Sequence, residues 1–144
     1  MKKKIAIMCS ALMLVTGMSA FTGCFGGAEA EGKVMNVALN PEVEFVLDKD
    51  NKVVSVNAIN EEGNLIISAE AFENVEGKTA EEAAELFVQV SKENGFLFEG
   101  NVKSGENEIK VSLSGDKKAA EELYNDVKAS INEYATEIGI TATV

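Results

Sequence analysis

The Asn40-Pro41 step carries the most distinctive chemistry in this sequence, and Pro41 is its only proline. An asparagine is ordinarily lost when the following backbone nitrogen attacks its side-chain carbonyl. Proline has no N–H, so Pro41 blocks that route. The remaining cyclisation is attack by the Asn40 side-chain nitrogen on the Asn40 main-chain carbonyl, which breaks the chain and leaves a succinimide.

An amide nitrogen is a weak nucleophile, so this reaction needs a near-attack geometry, and positioning supplies roughly 7–11 kcal/mol in well-oriented systems. The sequence has no histidine, so acid or base assistance must come from carboxylates such as Glu42 or Glu44, from backbone groups or from water. The alternative interpretation is structural: Asn40-Pro41 is a turn or strand-edge dipeptide, because a proline at the first residue of an edge strand removes no ladder hydrogen bond. The residues by themselves favour this structural interpretation.

Composition excludes several classes of function. With 144 residues, 46% of them hydrophobic, the chain can form one compact domain. The absence of histidine argues against conventional catalytic triads and zinc hydrolases. The chain has no arginine and a net charge of −11, so nucleic acid is a poor candidate partner. No cofactor is expected. No metal site is expected either, because Lys52 and Val53 break the calcium-loop pattern that Asp48 begins.

The first 23 residues have the pattern of a secretory signal peptide, with a basic start at Lys2 to Lys4 and an apolar run from Ile5 to Val15. The apolar run is shorter than the roughly 20 residues of a membrane-spanning helix. The phrase Phe21-Thr-Gly-Cys24 resembles a bacterial lipobox, with Phe21 in place of the usual leucine. This resemblance implies cleavage before Cys24 and a lipid on its thiol.

We therefore predict a lipoprotein signal peptide over 1–23, a flexible tether over 24–32 and one folded domain over 33–144. Removal of the signal peptide would take away Cys9 and three lysines but no acid. Ten lysines and 24 acids would remain, a net charge of −14. The predicted location is extracytoplasmic, with the chain attached to the cell membrane through lipid on Cys24.

Hydrophobic periodicity predicts the elements around Asn40. Alternation of apolar residues predicts strands on both sides of the Asn40-Pro41 step. A third strand is predicted from Lys52 to Ile59, between a turn over Asp48–Asn51 and a second turn over Asn60–Gly63. Thr79 and Glu82 form a capping-box pattern at the start of a helix. A strand near Val111, a second helix and a strand over 140–144 complete the order β-β-β-α-β-α-β. The prediction is an α+β fold, a mostly antiparallel sheet with two amphipathic helices on one face.

Three sequence segments together resemble the extracytoplasmic middle domain of RsgI-like anti-sigma factors. They are Asn40-Pro41, Val53-Val-Ser-Val-Asn-Ala-Ile-Asn-Glu-Glu-Gly63 and Gly77-Lys-Thr-Ala-Glu-Glu-Ala-Ala84. The resemblance covers about Val34 to Val144. It implies self-cleavage of the Asn40-Pro41 bond, although Glu42 stands where a serine is common in the family. A lipobox stands where the family has a membrane helix.

The resulting interpretation is a lipid-anchored interaction or sensing module with a protein partner at the cell envelope. It would turn over no external substrate, and cleavage at Asn40-Pro41 would be a single event. The alternative is an extracytoplasmic binding lipoprotein for a cell-wall or small-molecule ligand. A sugar-binding platform is a further possibility for four aromatic residues, but the aromatic content of 6% and the absence of tryptophan favour core packing: Phe96, Phe98, Tyr124 and Tyr134.

Overall fold

A computed structural model describes residues 32–100, 103 and 105–144. The predicted signal peptide, the lipid site Cys24 and the tether up to residue 31 lie outside the described residues and stay predictions. In the part of the chain that the structure describes, no helix is both long enough and apolar enough to cross a membrane.

The fold is a four-stranded antiparallel sheet with helices, which confirms the predicted α+β class. The strands lie in the order β3-β2-β1-β4, so the first strand of the domain is an inner strand, paired with β2 on one side and β4 on the other. The strands are β1 Lys33–Ala38, β2 Glu42–Leu47, β3 Val53–Ala58 and β4 Lys110–Leu113; the α-helices are α1 Glu61–Ile67, α2 Ala80–Glu93 and α3 Lys117–Glu137.

Alternating side chains place one face of the sheet in the core, as the period of two predicts. Met35 and Val37 of β1 are fully buried, and they pair with the buried Phe45 and Val43 of β2. The intervening residues of both strands are only partly buried. β1 therefore contributes its apolar face to the centre of the domain.

The helices α2 and α3 pack against each other and share one core with the buried face of the sheet. The predicted capping box at the start of α2 is confirmed. The Glu82 N–H donates to Thr79 Oγ1 at 3.3 Å, and the Thr79 N–H donates to Glu82 Oε2 at 2.9 Å. α3 begins after Asp116, whose carboxylate accepts hydrogen bonds from the first-turn amides.

Two parts of the predicted element order differ from the structure. The predicted turn Asn60–Gly63 is instead the cap and first turn of α1, because the Asn60 side chain accepts a hydrogen bond from the Gly63 N–H. A short 3-10 helix, Glu70–Asn74, follows. The predicted final strand over 140–144 is reduced to one parallel bridge between Glu108 and Thr143. Pairing does not continue toward residue 140, because the neighbouring Asn107 takes the left-handed conformation with φ 55° and is not extended.

Candidate functional site

Asn40 lies at the tip of the turn between β1 and β2. The last pair of the ladder is Ala38 with Glu42, and the Leu39 N–H donates to the Pro41 carbonyl at 2.9 Å, so three residues make the connection. Asn40 is exposed, whereas Pro41 is buried. The strand that Pro41 precedes is an inner strand, so the edge-strand interpretation of the proline is wrong. Pro41 is tolerated because it comes before the first residue of the β2 ladder.

A second asparagine contacts the bond that would break. The side-chain nitrogen of Asn60 donates a hydrogen bond to the main-chain oxygen of Asn40 at 2.8 Å. This oxygen belongs to the carbonyl of the Asn40-Pro41 peptide bond. The residue that precedes α1 is therefore bound to the candidate scissile group, 20 positions earlier in the chain.

The orientation of the Asn60 amide is fixed by two backbone donors. Its oxygen, Oδ1, accepts hydrogen bonds from the Glu42 N–H at 3.0 Å and from the Gly63 N–H at 2.7 Å. An amide oxygen only accepts and an amide nitrogen only donates. Because Oδ1 faces these two N–H groups, Nδ2 must face the Asn40 carbonyl.

Gly63 allows this close approach between α1 and the start of β2. A Cβ atom at position 63 would lie 2.2 Å from the Glu42 carbonyl oxygen and 3.0 Å from Asn60 Oδ1. The same Glu42 oxygen accepts a hydrogen bond from the Ile59 N–H at 2.9 Å. Residues 59–63 therefore form a tight bend that is hydrogen-bonded directly to Glu42, the residue after Pro41.

The two carboxylates predicted as candidate acids or bases take part in cross-strand pairs. Glu42 Oε1 accepts a hydrogen bond from Asn36 Nδ2 at 3.1 Å, and Glu44 Oε1 accepts one from Asn57 Nδ2 at 3.4 Å. These partners lie on β1 and β3, on the partly buried face of the sheet. Neither carboxylate makes a hydrogen bond to a described atom of Asn40.

On another side, Asn40 borders an open cleft of about 290 Å³. Its wall is the loop that leads to β4, which the buried Asn107 holds in place by donating to the carbonyls of Phe98 at 2.7 Å and Thr141 at 3.1 Å. The residues that line the cleft with Asn40 are Leu39, Phe96, Phe98, Gly105, Glu106, Asn107, Glu108 and Lys110. Water can therefore reach the Asn40 side of the turn.

The four aromatic residues considered as a platform do not share one surface. Phe96 and Phe98 line the cleft beside Asn40. Tyr134 lines a different cavity with Lys92, and Tyr124 lies under the Lys128 ammonium group at 5.9 Å from the ring centre. Burial raises the pKa of Tyr134, with nearby carboxylates adding to the shift. Phe96 and Tyr134 pack partly against the core, as predicted. The same prediction is wrong for Phe98, which is 52% exposed.

Comparison with known proteins gives the family. Residues 33–144 match the family model for the anti-sigma factor RsgI-like central domain. The chain belongs to this family. The predicted resemblance is therefore confirmed, and it covers the whole region from β1 to the end of the chain. Two of the segments that carried the resemblance lie in contact at the β1–β2 turn. They are Asn40-Pro41 and the segment ending in Asn60-Glu-Glu-Gly63.

A curated relative of this RsgI-like domain is the anti-sigma-I factor RsgI7 of Acetivibrio thermocellus. It is 22% identical over 142 residues, which is 98% of this chain and 24% of the relative. The chain thus spans about a quarter of the length of the curated relative that it matches.

Proposed function

We propose that this chain is a lipid-anchored, extracytoplasmic sensing module whose RsgI-like central domain cleaves itself once, between Asn40 and Pro41. Membership of the family supports the sensing role. The lipobox pattern at Cys24 supports the anchor. The exposed position of Asn40 at a turn that is held by contacts from another element supports the cleavage. The module catalyses no reaction on an external substrate.

The observation that carries this proposal is the position of the bond within the sheet. Cleavage after Asn40 separates β1 from the rest of the domain in covalent terms only, since β1 is paired on both sides, with β2 and with β4. Residues up to Asn40 would stay attached to the lipid, and residues 41–144 would stay attached to β1. The product is a nicked domain that still behaves as one body.

Release of β1 from such a domain is costly. Met35 and Val37 are fully buried, and burial of side chains of this size stabilises by about 1.5–3 kcal/mol each. The ladders on both edges of the strand add hydrogen bonds that each contribute roughly 0.5–1.5 kcal/mol net. The two fragments would therefore stay together at rest and separate under mechanical force or partial unfolding. A protein partner at the cell envelope would detect or cause this separation.

The proposal is tested on the full chain, expressed in a bacterium that processes lipoproteins. Membranes are isolated and then washed with either a native buffer or concentrated denaturant. The expected result is that fragment 41–144 stays with the membranes in the native wash and is released by denaturant. The Asn40→Ala variant should release no such fragment, and Cys24→Ala should carry no lipid and keep residues 1–23, as its intact mass would show. A wild-type chain that is uncut contradicts the cleavage, and a wild-type chain without a lipid on Cys24 contradicts the anchor.

Binding of a cell-wall fragment or small molecule is the second candidate function, and the cleft beside Asn40 favours it. Phe98 is 52% exposed there, next to the amide of Asn40 and the side chain of Lys110. An exposed ring beside polar groups is a suitable surface for a small ligand. A rise in melting temperature on addition of a cell-wall saccharide would support this role.

A further inference from the structure

We propose that Asn60 is a catalytic residue of the self-cleavage, donating a hydrogen bond to the oxygen on which negative charge develops. This inference rests on the proposed function, because it assigns a role in the Asn40-Pro41 reaction. Its basis is the contact of 2.8 Å between Asn60 Nδ2 and the Asn40 main-chain oxygen.

The reaction step balances without any external reagent. The Asn40 Nδ2 atom forms a bond to the Asn40 carbonyl carbon, and the carbonyl π electrons move onto the oxygen. When this oxygen reforms its double bond, the bond to the Pro41 nitrogen breaks. A proton lost by Nδ2 goes to the Pro41 nitrogen, directly or through water. The products are a fragment with a C-terminal succinimide and a fragment with a free proline amine. One water molecule later opens the succinimide.

Asn60 is suited to stabilise the intermediate because its orientation is set before the reaction begins. Preorganised donors at 2.7–3.1 Å from a developing oxyanion are effective because they need no reorganisation at the moment of reaction. The Glu42 and Gly63 amides hold Oδ1 of Asn60 and leave Nδ2 directed at the Asn40 oxygen. A negative charge on that oxygen strengthens the hydrogen bond, since charge-assisted bonds are roughly twice as strong as neutral ones.

The same geometry explains why this donor depends on tertiary structure. Asn60 is the cap of α1, and the bond it contacts lies in a different turn. The donor reaches the carbonyl only when β1, β2 and β3 are in register and α1 lies against Glu42. The domain would therefore cleave itself after folding, and the unfolded chain would not.

A capping role alone would also place Asn60 here, and one substitution separates the two roles. Asn60→Asp keeps an oxygen for the Glu42 and Gly63 amides, and aspartate caps helices as well as asparagine does. It removes the donor to Asn40 and adds a negative charge beside the oxygen.

The test follows cleavage of the full chain over time after a short labelling pulse in cell-free synthesis, with the samples separated on denaturing gels. The control is Asn132→Asp on α3, which makes the same isosteric change at an amide that donates to the Lys128 carbonyl. Asn60→Asp should cleave about 10²-fold more slowly than wild type, the lower end of the loss for one oxyanion-hole donor. Asn60→Ser, which also lacks the amide donor but adds no charge, should cleave more slowly than wild type as well. Asn132→Asp should cleave at the wild-type rate.

Folding of each variant is checked by thermal unfolding under the same conditions. If the added charge unfolds the domain, Asn60→Ser replaces it, because a serine oxygen still caps a helix but carries no amide donor. A folded Asn60 variant that cleaves at the wild-type rate overturns this inference and leaves the proposed function standing. A wild-type chain that never cleaves overturns the proposed function itself.

Discussion

The turn between β2 and β3 is closed by a side chain of its own, whereas the corresponding side-chain contacts at the turn between β1 and β2 come from outside that turn. Asp48 Oδ1 accepts hydrogen bonds from the amides of Asp50 and Lys52, both at 2.9 Å, and Asn51 takes the left-handed conformation with φ 59°. Asn51 of the β2–β3 turn is also bonded to more distant residues, because it accepts hydrogen bonds from Lys33 Nζ at 2.6 Å and from the Ala80 N–H at 3.0 Å. Around Asn40 the corresponding contacts come from Asn60, at the start of α1. Both turns join antiparallel neighbours in one sheet.

The comparison shows how a turn can be given a chemical role. A turn closed by its own aspartate forms wherever its local sequence is present, because side chains of this type mimic backbone hydrogen bonds. A turn fastened by a residue 20 positions away is completed only in the folded domain. The second arrangement couples any reaction of the turn to folding. Three substitutions test this difference, from the largest expected effect to the smallest.

Met35→Ala acts on the strand that leads into the Asn40 turn. Met35 is fully buried on the inner strand β1, and truncation of such a side chain to alanine costs about 2–5 kcal/mol of unfolding free energy. Urea unfolding of the full chain in the uncleaved Asn40→Ala background measures this loss. Val34→Ala, at a partly buried position of the same strand, is the control and should cost clearly less. Equal losses at the two positions would contradict the burial of β1 described above.

Gly63→Ala acts on the outside support of the same turn. The added methyl group would lie 2.2 Å from the Glu42 oxygen, so α1 must shift away from β2. Overpacking of this kind costs about 1–3 kcal/mol, and the shift would also move Asn60 away from the Asn40 carbonyl. We expect a lower melting temperature together with slower cleavage. Leu65→Ala, at a position 56% exposed on the same helix, should change neither. Unchanged cleavage in a destabilised Gly63→Ala chain would contradict the proposed dependence of cleavage on the contact between residues 59–63 and the β1–β2 turn.

Asp48→Ala acts on the β2–β3 turn, which the Asp48 side chain closes. It removes the acceptor of two backbone hydrogen bonds, and loss of a comparable capping side chain costs about 0.5–2 kcal/mol. The expected result is this modest loss of unfolding free energy with no change in the cleavage rate at Asn40. The measurement is urea unfolding in parallel with the labelling experiment. A cleavage rate that falls with Asp48→Ala would mean that general stability, and not the outside support, controls the reaction.

The same contrast explains which features could be predicted from the sequence. The Asp48 turn, the Thr79 capping box and the alternation in β1 and β2 are local patterns, and the structure confirms each of them. The contact between Asn60 and Asn40 depends on how three strands pair, so no local pattern contains it. Asn60-Glu-Glu-Gly63 was predicted as a turn because its residue types are common to turns and to helix caps.

Asn60 was therefore missed as a site residue, although the phrase that contains it was part of the family resemblance. The sequence contains one signal for the contact between Asn60 and Asn40, because the family resemblance includes two separate segments, one around Asn40-Pro41 and one ending at Gly63. The final strand over 140–144 was overpredicted for the opposite reason. Its residues have strand character, but the backbone beside them is not extended at Asn107, where φ is 55°, and a single bridge joins Glu108 to Thr143.

The most direct test of the account is the intact mass of the full chain under denaturing conditions, after prolonged incubation of the folded protein beside an Asn40→Ala control. The account predicts a fragment 41–144 that begins with Pro41, in the wild type only, and an N-terminal fragment that ends in the succinimide or its hydrolysis product at Asn40. A wild-type chain that keeps its full mass, or that breaks at another bond, would contradict it.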